Sequence, residues 1–342
     1  MEIVPPNALD RFQLTPGLDI CRLLNGMWQV SGVRGPAQAK AAIAEMFNYV
    51  AAGFTSWDLA DHYGPAEDLL GEFLNQWGAL QGVQARSQIQ ALTKWVPLPD
   101  TMTRQVVEAN LDRSRRRMGV ASIDLLQFHW WDYSNRNYIE ALKHMVDLKV
   151  EGKIKHLGLT NFNTYRLADL MDRGIPIVSN QVQFSLIDQR PLTKMIPFCQ
   201  GHEVSLLVYG VLCGGLLSDP YLHQPEPNLR DLSTASQQKY KRLIDAWGGW
   251  ELFQQLLQVL NQISQKHQVT IANVAVRSIL EQPAVAGAII GMQVEGQGHR
   301  SENRQVFSFC LDPQDWQKIQ AVLDQSQDLS PILGDCGDEY RH

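Results

Sequence analysis

SIDLLQFHWWDYSNRNYIEALKHMVDLKVEGKIKHLGLTNF, residues 122–162, reads as strand, helix, strand. Its flanks, SIDLLQFHW and HLGLTNF, are short apolar runs, while YIEALKHMVDLKVEGK between them spaces its apolar residues by three and four. Two strands joined through a helix run parallel, and the crossover is right-handed.

The same unit recurs along the chain. Strand candidates are LNGMWQV (24–30), TSWDLAD (55–61), IQALTKW (89–95), SIDLLQFHW (122–130), HLGLTNF (156–162), IVSNQVQF (177–184), SLLVYGVL (205–212) and VAGAIIGM (285–292). Between them lie helical patterns such as AQAKAAIAEMFNYVAAG, PAEDLLGEFLNQW and TRQVVEANLDRSRRRMG, several ending at Gly. Eight such units without an order reversal predict an α/β fold closed as a (β/α)8 TIM barrel. A doubly wound sheet also alternates, but it needs GxGxxG after its first strand. LNGMWQVSG lacks that motif, and GQGHRS (296–301) lacks the third glycine and follows the last strand.

The 342 residues are expected to form a single domain, with a core from about 10 to 325. FQLTPGLDICRL has a Pro-Gly turn between apolar runs and predicts a hairpin plugging one barrel end. Residues 218–250 read as a long irregular insertion, which in a compact domain is functional or disordered. LFQQLLQVLNQISQKHQ, TIANVAVRSILEQ and DPQDWQKIQAVLDQS read as further helices; the tail from Ser330 to His342 carries no pattern.

Composition narrows the function. Hydrophobic residues at 44% and charged residues at 19% fit a globular protein, and a net charge of −6 offers no long-range attraction for nucleic acid or anionic membrane. Arg113, Arg115, Arg116 and Arg117 sit in an amphipathic segment and read as a solvated helix face. MEIVPPNALDRF has neither the basic start nor the apolar middle of a signal peptide, and no run approaches a membrane span, so a cytoplasmic location is expected. Five widely spaced cysteines read as reduced thiols, and nine histidines form no metal-ligand spacing, so no metal is expected.

In barrels of this type the reacting groups stand at the C-terminal ends of the strands. Asp58 and Tyr63 of DLADHY (58–63), Lys94 and His129 all fall there, on adjacent strands. Each alone has an ordinary explanation as cap, packing or surface residue; four together point to chemistry. An ammonium near a phenol brings its pKa of about 10 toward the working range, so Lys94 is expected to tune Tyr63 and Asp58 to hold Lys94. His129 is placed to hydrogen-bond the substrate oxygen. Such a set suits protonating an oxygen that gains negative charge, as in carbonyl reduction.

These residues resemble the aldo-keto reductase superfamily over nearly the whole chain. DLADHYGPAEDLLGEFL resembles its D-x-A-x-x-Y-G-x-x-E-x-x-L-G signature, TKW its lysine strand and DLLQFHW its histidine strand. The resemblance implies a catalytic tetrad of Asp58, Tyr63, Lys94 and His129, with Tyr63 as general acid. It implies an NADP(H) or NAD(H) cofactor across the barrel mouth, with a small carbonyl or alcohol as substrate. Thr160, Asn161 and Gln181 would face the nicotinamide carboxamide, Tyr209 would stack on its ring, and Trp28, Gly210 and Leu212 would lie beside it. Toward the adenosine, IIGMQVEGQGHRSEN places Gly291, His299, Arg300 and Asn303 in the family pattern. Gln293 replaces its phosphate-gripping arginine, and Glu295 stands where glycine is usual. A neutral amide lacks the guanidinium's fork for phosphate, so strict NADP preference is not implied, unless Arg300 or Arg304 compensates. Trp95, Trp130, Trp131 and Trp250 are expected as substrate-pocket walls.

Two other classes share parts of this pattern. Some superfamily members are cofactor-sensing regulatory subunits of potassium channels that keep the tetrad. A barrel hydrolase would instead use Asp58 and Asp61 as a carboxylate pair.

Overall fold

A Pro-Gly turn with Gly17 at φ +84° joins β1 (Arg11–Thr15) to β2 (Leu18–Cys21), the expected hairpin. The computed structural model describes residues 10–293 and 299–341. Eight further strands follow: β3 (Leu23–Gly26), β4 (Ser56–Asp58), β5 (Gln90–Trp95), β6 (Ile123–His129), β7 (Ile154–Thr160), β8 (Ile177–Gln183), β9 (Ser205–Tyr209) and β10 (Val285–Gly291). Each pairs in parallel with the next, and β10 closes on β3. The molecule is a (β/α)8 barrel, as the alternation of patterns predicts.

Helices pack outside the strands through the faces their spacing creates. Tyr138–Val150 buries Tyr138, Leu142, Met145 and Leu148. Arg104–Met118 starts where the Thr103 side chain accepts from the Val106 N–H, and stops at Gly119, whose φ of +61° suits glycine.

Inside the barrel, alternation sorts the residues into layers. Leu92, Leu125 and Leu207 share one apolar cluster with Leu24, Ala286 and the hairpin residues Leu14, Leu18 and Ile20. The hairpin therefore seals the floor. Two residues further along the same strands stand Lys94, Gln127 and Tyr209, so the interior turns polar toward the C-terminal ends.

The insertion is more regular than its composition suggests. Ala235–Trp247 is a helix capped by Thr234, burying Tyr240, Leu243, Ile244 and Trp247 at spacings of three and four. Pro, Gln and Ser around it obscured that short pattern. The tail is also ordered: Asp335–Arg341 crosses the open end of the barrel and touches Asn161, Asn163, Thr164 and Arg190. Among the described residues, no helix is long and apolar enough to cross a membrane.

Candidate active site

β4 ends at Asp58, and its carboxylate is the hub of a buried network. Oδ2 accepts from Lys94 Nζ at 2.6 Å, and Oδ1 accepts from Gln127 Nε2 at 3.0 Å and Gln181 Nε2 at 2.7 Å. Lys94 Nζ also donates to the Leu59 carbonyl at 2.8 Å. Burial pulls the lysine below its ordinary pKa, while Asp58 and then Asp61 oppose this. A buried pair of this kind persists only when its remaining donors and acceptors are satisfied, which is what the two glutamines accomplish.

Tyr63 lies on the loop after β4, with Lys94 Nζ 5.1 Å from its ring centroid and Trp28 edge-on at 5.1 Å. Its phenol is pushed up, not down: burial is the largest cause, followed by Asp58, Tyr340 and Asp61. The expected acidification by Lys94 is therefore absent in this arrangement, because Asp58 balances the ammonium and desolvation disfavours phenolate.

His129 ends β6, its pKa lowered to about 3, first by burial and then by Arg341. Nδ1 sits 3.0 Å from the Thr160 carbonyl. A carbonyl only accepts, so Nδ1 carries the proton and Nε2 is bare. That Nε2 is buried with no partner. It can accept from a hydroxyl but cannot donate to a carbonyl oxygen, so the hydrogen bond expected with the substrate oxygen is one that it accepts.

On the neighbouring strands, Thr160 Oγ1 is buried without a partner. Asn161, with φ +57°, accepts at Oδ1 from Tyr209 Oη at 2.8 Å. The Gln181 amide N–H groups go to Asp58 and Gln127. Gly210, at φ +74°, lies against helix Ala235–Trp247, and Leu212 precedes a tight turn at Cys213–Gly215. A Cβ on Gly210 would stand 2.0 Å from Tyr240 Oη.

At the far end, β10 finishes at Gly291, where a Cβ would meet the Gln29 amide. Gln293 follows, exposed. His299 pairs with Glu302 at 2.6 Å, ahead of the helix Arg300–Gln305 that contains Asn303. Arg300 forms an ion pair with Glu45 and lies over the Tyr49 ring. Arg304 donates to the Ala52 carbonyl at 2.8 Å and pairs with Asp10 at 3.6 Å. Both arginines are thus engaged by groups of the protein itself; Glu295 lies outside the described residues.

Residues 22–324 match the family model described as the aldo/keto reductase family. The chain belongs to that family. It is 23% identical to the aldo-keto reductase YhdN of Bacillus subtilis (strain 168) over 319 residues, covering 91% of this chain and 92% of that one. Among solved structures, the glycerol dehydrogenase AKR11B4 from Gluconobacter oxydans overlaps with a TM-score of 0.74 at 20% identity, across 96% of this chain and 98% of that one. The aldo/keto reductase from Klebsiella pneumoniae in complex with NADP and acetate overlaps at 0.68 and 17% identity, across 92% and 95%. At these identities the overlaps speak to the fold.

Within this aldo/keto reductase, strand parity redistributes the tryptophans. Lys94 faces inward, so Trp95 faces outward, buried against Phe128. Trp130 is fully buried between Phe128 and Tyr138, its indole N–H donating to the Asp132 and Asn135 carbonyls. Trp250 packs on Phe253 and donates to the Gln224 carbonyl, as part of the scaffold of the insertion. These three are not pocket walls. Trp131 remains at the mouth, edge-on to His129 at 4.4 Å.

Three participants were not singled out from the sequence. Gln127 was legible, being two residues before His129 on the same strand face. Tyr340 and Arg341 carried no local signal. Arg117, read as solvated, instead donates to the Asp61 carbonyl at 3.0 Å, Glu67 at 3.1 Å and Asp68 at 2.9 Å, bracing the loop that carries Tyr63.

Proposed function

We propose that this aldo/keto reductase reduces an aldehyde or ketone to an alcohol, reversibly, with NADP(H) as cofactor and Tyr63 as general acid. One cluster carries this assignment: a protonated Tyr63 over the Lys94–Asp58 pair, at the same barrel mouth as an unpartnered His129 Nε2.

The residues present fit a nicotinamide dinucleotide. Thr160 Oγ1 is a buried polar atom lacking a partner, and Asn161 keeps an amide N–H for a carboxamide. Tyr209 offers a ring to stack upon at the end of β9. The adenosine end would fall to Gln293, His299, Arg300 and Asn303. The Klebsiella relative holds NADP, which supports that cofactor here.

The bound nicotinamide supplies the hydride that the carbonyl carbon receives. As charge gathers on the carbonyl oxygen, Tyr63 O–H is the donor in reach. An alkoxide is about as basic as hydroxide and more basic than a phenolate, so even a phenol raised by burial is a donor to it. The Lys94 ammonium, balanced by Asp58, lies against the Tyr63 ring and holds the phenol in place. His129 Nε2 accepts from the new hydroxyl and fixes its orientation.

Turnover of NADPH and NADH with aromatic aldehydes, sugars, diketones and pyridoxal tests this. Wild-type protein should quench NADPH fluorescence and reduce some of them; Tyr63→Phe should keep the quench and lose turnover. Quenching without any turnover would point to a cofactor-sensing role, and no quenching would defeat both.

A further inference from the structure

The tail is fastened to the barrel mouth by hydrogen bonds from Thr164, Asn163 and Arg190. The Thr164 N–H donates to Asp335 Oδ2 at 2.8 Å, and Asn163 Nδ2 to Asp338 Oδ1 at 2.8 Å. Arg190, buried beside Asp188, donates to both carboxylate oxygens of Glu339 at 3.0 and 3.1 Å. Asp335 and Asp338 thereby reach the segment that follows β7, and Glu339 the one that follows β8.

The object they enclose is Asn161. Gly337 packs so closely that a Cβ would lie 2.0 Å from the Asn161 carbonyl oxygen. The same oxygen accepts from Arg341, whose guanidinium stacks 4.3 Å over the Tyr133 ring. The side chain is held as well. Lys239 Nζ donates to Tyr340 Oη at 2.7 Å, Tyr340 Oη lies 3.0 Å from Tyr209 Oη, and Tyr209 donates to Asn161 Oδ1 at 2.8 Å.

That chain has a direction. An ammonium can only donate, and each phenol has one proton. With Tyr209's proton spent on Asn161, Tyr340 must give its own to Tyr209. Asn161 Oδ1 is then occupied, and Nδ2 is the end left to meet a ligand. A primary carboxamide presents a carbonyl oxygen that suits this N–H.

We propose that the C-terminal segment positions Asn161 for the nicotinamide carboxamide, with Tyr340 and Arg341 as the positioning residues. This rests on the nicotinamide assignment above. The left-handed backbone of Asn161, at φ +57°, is uncommon for a residue other than glycine and is held in place by contacts from the tail. Without them, the amide is free to rotate and the donor end is no longer preset.

The test compares two ligands on the full chain, on Tyr340→Phe and on a chain ending at Glu339. NADPH carries the nicotinamide; adenosine 2′,5′-bisphosphate shares only the adenosine end. Tyr340→Phe should bind NADPH about ten-fold more weakly, the effect of one well-placed hydrogen bond. The truncated chain should lose at least as much, and both should bind the bisphosphate as wild type does, with an unchanged thermal midpoint for Tyr340→Phe. Equal losses for both ligands, or unaltered NADPH binding, would overturn the proposal. Tighter NADPH binding by the truncated chain would also overturn it, making the tail an occluding plug. Failure of wild-type protein to bind NADPH would remove the nicotinamide assignment itself, a separate result.

Discussion

Lys94 and Asp58 form a 2.6 Å ion pair in which each residue is 3% exposed, and the carboxylate's other oxygen is claimed by Gln127 and Gln181. Asp58→Asn removes the only counter-charge in direct contact with the ammonium among the described residues. Breaking a buried pair from one side costs about 3–5 kcal/mol. Urea denaturation should register a loss of that order, and carbonyl turnover should fall with it. A change under about 1 kcal/mol would mean that the lysine is already neutral.

The histidine predicts an acid response. His129 in the folded protein titrates at about 3, below the ordinary histidine value. Above about pH 6.5 it is neutral folded and unfolded, and its full contribution to stability is present. As pH falls through that value, the unfolded chain takes up a proton that the folded one refuses. Stability is lost down to about pH 3. His129→Gln keeps a polar side chain without this titration. Between pH 6 and 4, wild-type protein should lose about 1.4 kcal/mol per pH unit more than the variant in chemical denaturation. Parallel pH profiles would contradict the buried neutral imidazole.

Gly210 is constrained twice, by φ of +74° and by Tyr240 Oη standing 2.0 Å from where a Cβ would be. Gly210→Ala should cost about 1–3 kcal/mol and weaken cofactor binding, since the backbone must shift at the end of β9. Adding Tyr240→Phe should recover part of the loss by removing the nearest atom. Equal melting curves for Gly210→Ala and wild type would refute the contact.

Cofactor preference is also predictable. Gln293 is neutral and Arg300 is engaged by Glu45, so discrimination between NADPH and NADH should be small. Gln293→Arg should raise the NADPH:NADH ratio of kcat/KM about ten-fold or more, through charge-assisted hydrogen bonds. Glu45→Gln, which releases Arg300, should shift it the same way. A ratio unmoved by both changes would place the phosphate elsewhere.

The barrel was legible because its signal is periodic and repeated: eight apolar runs separated by helical spacing need no long-range information. Asp58, Tyr63, Lys94 and His129 followed from their places at strand ends. What sequence hid was of two kinds. Parity was available but unused: Trp95 directly follows inward-facing Lys94, so it had to face the helices. Burial and distant contact were not available. Nothing local reveals that Tyr63 is desolvated enough to rise rather than fall, or that Arg190 meets Glu339 across 149 positions of chain. The tail has no periodicity of its own, so its order is visible only once Arg190, Asn163 and Thr164 are in place.

The leucine floor closed by the hairpin leaves the barrel a cup rather than a tube. On the role proposed for Tyr63, each proton it gives is replaced, and with Leu92, Leu125 and Leu207 barring one end, replenishment enters from the rim. There the exposed imidazole of His62 stands with its ring centroid 4.8 Å from the tyrosine's. Fuel and product share one doorway, so crowding at that doorway governs both.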